Sequence, residues 1–388
     1  MRKKAPVIAI VAGEISGDQL GGWLMEALKK QQPDIRFIGV GGSHMQDQGL
    51  PSLFPMEELS VIGFTEVLPH ALHIKRRLRE TAAMIQHEQP SILITIDSLG
   101  FNFRLNELLR KQGMEKLPKF VHYVAPTVWA YKAHRAPLTA QLMDMLLTIL
   151  PFEPPYFEKH GLKTYYVGHQ IAWWWKEKGD REAFRKTHGI AAPAPLLAIF
   201  PGSRSSELRR LLPLFGEAVA ILKNKVAALE IVIQVPPRLT AIAQECTTNW
   251  VIHPMVISNT TNKKDVFAAA DVALAKSGTI ALECALAGLP NVIAYRVNTL
   301  TAAIVRRLLK ITHLGLANIL LKKPIIPELL QENCTPENIA QALAPLLINK
   351  EARQLQIDAL KDVSALLGTN DSESPSDKAA AHILTLLD

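Results

Sequence analysis

Phe200-Pro201-Gly202-Ser203-Arg204 and Lys276-Ser277-Gly278-Thr279 each close an apolar run and open a helical one. The runs before them, Leu196–Phe200 and Val272–Ala275, are short, apolar and strand-like. The stretches after them, residues 206–228 and 278–287, carry helical spacing. A strand feeding a helix through a small-residue turn is the repeating unit of a parallel α/β sheet. At such a turn the first helical N–H groups lack intrahelical partners, and the helix dipole places about half a positive charge there. Glycine and serine let an anion come against that backbone. Two such turns in one stretch, one of them carrying Arg204, suit a diphosphate and so a nucleotide-linked donor. Either turn alone is also an ordinary strand-to-helix cap, because serine is favoured at helix starts. Glu283 stands one turn into the second helix, where a carboxylate can accept from ribose hydroxyls or simply complement the dipole.

The same alternation extends outward in both directions. Residues 7–11, 37–40, 92–96, 120–124 and 145–149 read as strands in the first half, with a loop at 13–18 and a helix at 20–31. Residues 230–235, 250–253 and 291–295 read as strands in the second half. The expected fold is therefore α/β, with two Rossmann-like parallel-sheet domains and C-terminal helices. The boundaries expected are 1–170, 171–349, and a helical segment 350–388 that returns to the first domain or is exchanged with a partner chain.

Composition narrows the classes. A chain of 388 residues that is 48% hydrophobic and 20% charged can bury two cores and is not disordered. Its net charge of +7 favours an anionic partner: nucleic acid, a phosphorylated substrate or an acidic membrane surface. Scattered solvated lysines account for the charge equally well. Cys246, Cys284 and Cys334 have no disulfide-framework or zinc spacing, which fits a reducing cytoplasm. Met1-Arg2-Lys3-Lys4 and the apolar run after it imitate a signal peptide, but Glu14 and Asp18 interrupt a run already short for one, so it reads as a buried strand. No apolar run is long enough to span a bilayer. The fingerprint G-x-G-x-x-G is absent, which argues against a dinucleotide redox cofactor.

Other candidates lie in the first half. Gly13-Glu14-Ile15-Ser16-Gly17-Asp18 follows the first strand, where acids and hydroxyls can meet a sugar. Asp97 ends the run Ile92–Ile96, at a strand tip, and is either a helix cap or a general base. His122 lies inside an apolar run and suits a core position better than a catalytic one. Ile74, Leu78, Ala82 and Ile85 follow helical spacing beside Lys75, Arg76, Arg77 and Arg79, with Val67, Leu68 and Leu72 upstream. That segment is an amphipathic core helix or a basic surface that rests on anionic lipid.

In order, Val11-Ala12-Gly13-Glu14-Ile15-Ser16-Gly17-Asp18, Ile96-Asp97, His122-Tyr123-Val124, Val128-Trp129-Ala130, Leu150-Pro151-Phe152-Glu153, Val167-Gly168-His169, Pro201-Gly202-Ser203-Arg204, Ser277-Gly278-Thr279, Leu282-Glu283 and Asn318 resemble the lipid-A-disaccharide synthase family of bacterial glycosyltransferases. The resemblance spans nearly the whole chain. It implies a GT-B fold and transfer from UDP-2,3-diacylglucosamine to 2,3-diacylglucosamine 1-phosphate, with inversion, giving a β-1,6-linked disaccharide and UDP. The family's base falls on Asp97. Its UDP contacts fall on Arg204, Ser277, Gly278, Thr279, Glu283 and Asn318, and Glu14, Ser16 and His122 fall on the sugar or acceptor side. No metal and no cofactor are implied. The implied partners are the two lipid substrates, the inner face of the inner membrane through Val67, Leu68, Leu72, Arg76 and Arg77, and a homodimer with exchanged C-terminal segments; nucleic acid is not implied. Departures from the pattern are Gly100 where a second acid is usual, Ala125, Tyr131 and Lys132 around Pro126, and Trp173-Trp174-Trp175 after His169. The rival readings are another two-domain UDP-sugar enzyme, such as an epimerase or a soluble glycosyltransferase, and a non-catalytic UDP-lipid binder.

Overall fold

A computed structural model describes residues 5–59, 67–113, 116–226, 228–258, 263–298 and 312–387; the side chains of 67–71 lie outside the described set. The chain divides into two compact units, residues 1–170 with 371–388, and residues 171–370.

The first unit holds six parallel strands: β1 (Val7–Ala12), β2 (Arg36–Val40), β3 (Ile92–Ile96), β4 (Lys119–Tyr123), β5 (Met145–Thr148) and β6 (Lys163–Tyr166), in the order β2-β1-β3-β4-β5-β6. Ile8 to Ala12 and Ile92 to Ile94 are fully buried, so both faces of the sheet are covered by helices. That explains the unbroken apolar runs in the sequence: a strand covered on both faces has no polar side to alternate with. Each large apolar side chain so buried contributes about 1.5–3 kcal/mol.

The second unit repeats the design with β7 (Leu196–Phe200), β8 (Glu230–Gln234), β9 (Met255–Ile257), β10 (Val272–Ala275), β11 (Asn291–Tyr295) and β12 (Glu328–Leu330), in the order β12-β11-β10-β7-β8-β9, all parallel. The strand expected at 250–253 is not there. Trp250 is buried with its indole against Gly216 of the Ser205–Lys223 helix, Val251 is exposed, and pairing starts only after Pro254. Two edge strands, β6 and β12, escaped the sequence reading because their side chains are only partly buried and carry no apolar run.

Residues 350–388, read from the sequence as one tail, distribute over both units. The Lys350–Leu366 helix belongs to the second, where Gln356 accepts from the Asn291 amide of β11 at 2.6 Å. The Pro375–Leu384 helix belongs to the first, where Ala379, Ala380 and Ile383 are fully buried in its core.

Candidate active site

Each sheet has a switch point. In the first, β1 stands between β2 and β3, so the winding reverses at the carboxyl ends of β1 and β3. In the second, β7 stands between β8 and β10 and the same happens at the ends of β7 and β10. Open α/β sheets bind ligands at such switch points. The residues at the first are Gly13-Glu14 and Asp97-Ser98; at the second they are Gly202-Ser203 and Lys276-Ser277-Gly278.

At the first switch point the loops touch: a Cβ on Gly13 would stand 2.6 Å from Ser98 Oγ. Asp97 and Ser98 both have left-handed backbones, with φ of 48° and 42°. Val124, at the end of neighbouring β4, has φ of 78°, a costly conformation for a β-branched residue. Such strain persists only where the surroundings hold it, and it gathers at functional sites. Here Asn102, fully buried on the following helix, donates to the Ile96 and Asp97 carbonyls at 3.2 and 2.8 Å. The Asp97 amide donates to Tyr123 O at 3.0 Å. Burial raises the Asp97 carboxyl above its ordinary pKa, against a smaller lowering by the Ser98 amide. Glu14 is raised by burial and then by the Asp97 charge, which places the two carboxylates within electrostatic reach of one another.

The helix after β1 begins at Ile15 rather than near Leu20, so Glu14 is its cap residue and Ser16 lies in its first turn; both are exposed. Glu14 makes no side-chain capping bond to that helix. Asp18 is removed from any sugar-binding role: it is buried and accepts from the Gly42, His44 and Met45 amides at 2.8, 3.0 and 3.1 Å. His122, placed on the acceptor side by the resemblance, is also corrected. It is fully buried inside β4, shares a 2.8 Å hydrogen bond with Thr95, packs edge-on against Phe103, and burial lowers its pKa to about 3. A neutral, fully buried imidazole in this place links β3 to β4 through Thr95, while its Nε2 is buried without a partner.

Glu153 carries a second buried carboxyl in this unit. It accepts from Trp129 Nε1 at 3.2 Å and from the Leu150 amide at 3.1 Å, and Phe152 packs edge-on against Trp129. Burial pushes it up to about 7. It ties the turn after β4 to the loop after β5.

The second switch point is a cavity of about 290 Å³ lined by Gly202, Ser203, Lys276, Ser277, Gly278, Thr279 and Glu283, among others. It therefore joins the two turns that the sequence singles out. Glu207 links them underneath: buried, it accepts from the Ser203 amide at 3.0 Å and from Lys276 Nζ at 2.8 Å. Glu283 is buried and ion-paired with Lys263; burial raises its pKa and Lys263 offsets part of the rise. Gln234, whose buried Oε1 lacks a partner, also lines the cavity at the end of β8. Arg204 is exposed at the cap of its helix and is not among the lining residues.

Asn318 is not in the cavity wall. It is fully buried, and its amide is taken up locally: Nδ2 donates to Ile326 O and Glu328 Oε1 at 2.8 and 2.7 Å, while Oδ1 accepts from the Ile326 amide at 2.9 Å. It braces the segment before β12. Lys276 is part of the turn quoted from the sequence but was given no role of its own there; Lys263 and Gln234 were passed over, and they reach the cavity only through the fold. Among the described residues no cluster of His, Cys, Asp and Glu could hold a metal ion.

The basic segment divides. Leu72 is 73% exposed and Arg76 is largely exposed, paired at 3.6 Å with Glu80. Arg77 is instead tied down: it donates to Glu58 at 2.7 and 2.8 Å and to Glu80 at 2.6 Å, and its guanidinium lies 4.6 Å from the Phe54 ring centroid. That corrects its reading as a lipid-facing cation. Val67 and Leu68 fall among the side chains outside the described set. No helix of the described residues is long and apolar enough to cross a membrane.

A family model described as lipid-A-disaccharide synthetase matches residues 8–383. The lipid-A-disaccharide synthase of Rhodospirillum centenum is 43% identical over 385 residues, covering 99% of this chain and 95% of the relative. That of Paramagnetospirillum magneticum is 43% identical over 384 residues, covering 98% and 97%. Among solved structures, UDP-GlcNAc 2-epimerase from Neisseria meningitidis bound to UDP-GlcNAc superposes with a TM-score of 0.60 at 12% identity, covering 98% of this chain and 99% of that one. MurG of Acinetobacter baumannii superposes with a TM-score of 0.54 at 16% identity, covering 93% and 98%. At such low identity these two speak for the fold alone, which is of GT-B type.

Proposed function

The chain belongs to the lipid-A-disaccharide synthase family of glycosyltransferases, and from that premise we propose that it joins UDP-2,3-diacylglucosamine to 2,3-diacylglucosamine 1-phosphate with inversion. Asp97 takes the proton of the acceptor's 6-hydroxyl. The oxygen attacks C1 of the donor sugar, the bond from C1 to the phosphate oxygen breaks, and UDP leaves with the electron pair. One in-line displacement gives the β-1,6 linkage. The leaving diphosphate sits on the turns at 202–204 and 277–279, where backbone N–H groups and nearby cations are fixed before its charge develops.

The observation that carries this reading is Asp97 itself. It is a carboxylate at a switch point, held in a left-handed backbone and raised by burial, as a base working near neutral pH requires. Glu14 and Ser16 face the sugars, Ser277 to Thr279 and Glu283 the UDP, and Arg204 folds onto the phosphates from its exposed position. The deciding experiment gives the purified protein both diacylated substrates. Formation of disaccharide and UDP in equal amounts supports the reading. UDP binding without disaccharide would leave a nucleotide-lipid binder, and turnover of a soluble UDP-sugar without the lipid acceptor would leave an epimerase-like enzyme.

Exposed Leu72 and Arg76 favour contact with the inner face of the inner membrane. Leu72→Ser should lower partitioning onto anionic vesicles; unchanged partitioning removes this helix from membrane contact. The Pro375–Leu384 helix supplies the contacts that an exchanged homodimer would trade between chains.

A further inference from the structure

We propose that Lys276 is a further binding residue for the donor, supplying a cation to the diphosphate; this rests on the UDP reading of the second-unit cavity. Lys276 is the last residue before the Ser277-Gly278 turn, and it lines the cavity with both phosphate-sized turns. Its Nζ lies 2.8 Å from Glu207 Oε1, while the other carboxylate oxygen of Glu207 accepts from the Ser203 amide at 3.0 Å. Glu207 thus takes up an N–H of one turn and the ammonium beside the other, the same two donors that a phosphate between the turns would seek.

A buried carboxylate directly beneath a diphosphate would repel it unless neutralised. Lys276 neutralises Glu207, but one hydrogen bond uses only one of an ammonium's three donors. The Tyr295 ring, 5.2 Å from Nζ to its centroid, limits how far the ammonium can swing. It stays at the cavity wall, able to bridge Glu207 and a phosphate oxygen. The other cation lining the cavity, Lys263, is engaged by Glu283. Arg204 does not line it, so among the described residues the cation fixed between the two turns is Lys276.

The test measures UDP and uridine binding by calorimetry for the wild type, Lys276→Met, Lys276→Arg and the double variant Lys276→Met/Glu207→Gln. A charge-assisted hydrogen bond predicts that Lys276→Met loses about tenfold or more in UDP affinity with uridine affinity unchanged. Lys276→Arg should retain most of the UDP affinity. The double variant, in which no buried charge is orphaned, should fold and still bind UDP poorly. UDP affinity equal to wild type in Lys276→Met, or fully recovered in the double variant, overturns the proposal: Lys276 would then serve only as the counter-ion of Glu207. The wild-type arm separates the two claims, because a wild-type protein with no preference for UDP over uridine sinks the diphosphate reading itself and this inference with it.

Discussion

Asp97 is a favourable residue to test because its backbone and its chemistry can be separated. Its φ of 48° is tolerated by Asp and Asn and costs other side chains more. Asp97→Asn therefore keeps the turn while removing the base. Turnover should fall about 10²–10⁴-fold, with UDP affinity little changed; a near-wild-type rate would clear Asp97 of the role. Since the base must be ionised and burial raises its pKa, kcat/KM should decline with acid at a higher pH than the ordinary carboxylate value of about 4. Glu153 makes a different prediction. Its pKa in the folded chain, about 7 against 4.5, means the folded state keeps a proton that the unfolded state releases. Stability should be unaffected by this group below about pH 4.5 and should fall as pH rises from there to about 7, by up to about 3 kcal/mol. Glu153→Gln should flatten that slope in denaturant melts, even if the lost hydrogen bond lowers stability throughout. The place of Asp97 at a strand tip was legible from the end of an apolar run. The core place of His122 was legible too, from the apolar run around it; the buried settings of Asp18 and Asn318 were not, because a polar letter does not say whether its partners are a ligand or the chain's own backbone.

The strand-to-helix turns carry the binding argument, and their two glycines differ in kind. Gly278 has φ 138° and ψ −158°, a region essentially reserved for glycine, but a Cβ there would meet nothing within 4 Å. Gly202, at φ 125°, would drive a Cβ to 2.2 Å from Glu207 Oε2. Gly278→Ala should cost only backbone strain, about 1–3 kcal/mol. Gly202→Ala should cost more, because it also displaces the carboxylate that anchors Ser203 and Lys276. Calorimetry of UDP binding should rank the variants wild type, Gly278→Ala, Gly202→Ala; the reverse order would remove Glu207 from its linking role. These turns were readable because buried parallel strands announce themselves as apolar runs ended by small residues. The same signal misled at 250–253, where Trp250 is buried as a plug against a helix rather than in a ladder. It was missing at β6, whose side chains are half-buried.

At the scale of the molecule, the doubling of one α/β plan was legible from repeated alternation, and a return of the chain's end to the first domain was one of two expectations for residues 350–388. What local sequence did not tell was that the two helices of that segment part, one to each unit. The Pro375–Leu384 helix completes the first unit: Ile383 is fully buried, Gln31 Nε2 donates to Asp377 O at 3.1 Å, and His382 stacks on Tyr165 with ring centroids 4.0 Å apart. The cavity proposed for UDP is lined, among the described residues, by the second unit. A chain of two such units need not unfold in one step. Saturating UDP stabilises what binds it, by about 2.7 kcal/mol at one hundred times Kd, and so marks the second unit's transition in a thermal scan. Ile383→Ala leaves a cavity in the first core and should cost that unit about 2–5 kcal/mol. The expected scan shows the UDP-insensitive transition moved down and the UDP-sensitive one in place, with UDP affinity preserved and disaccharide synthesis lost as the first unit melts. If the UDP-sensitive transition fell by the same amount, the last helix would have to stabilise the nucleotide unit too, and the division of labour between an acceptor unit and a donor unit would fail.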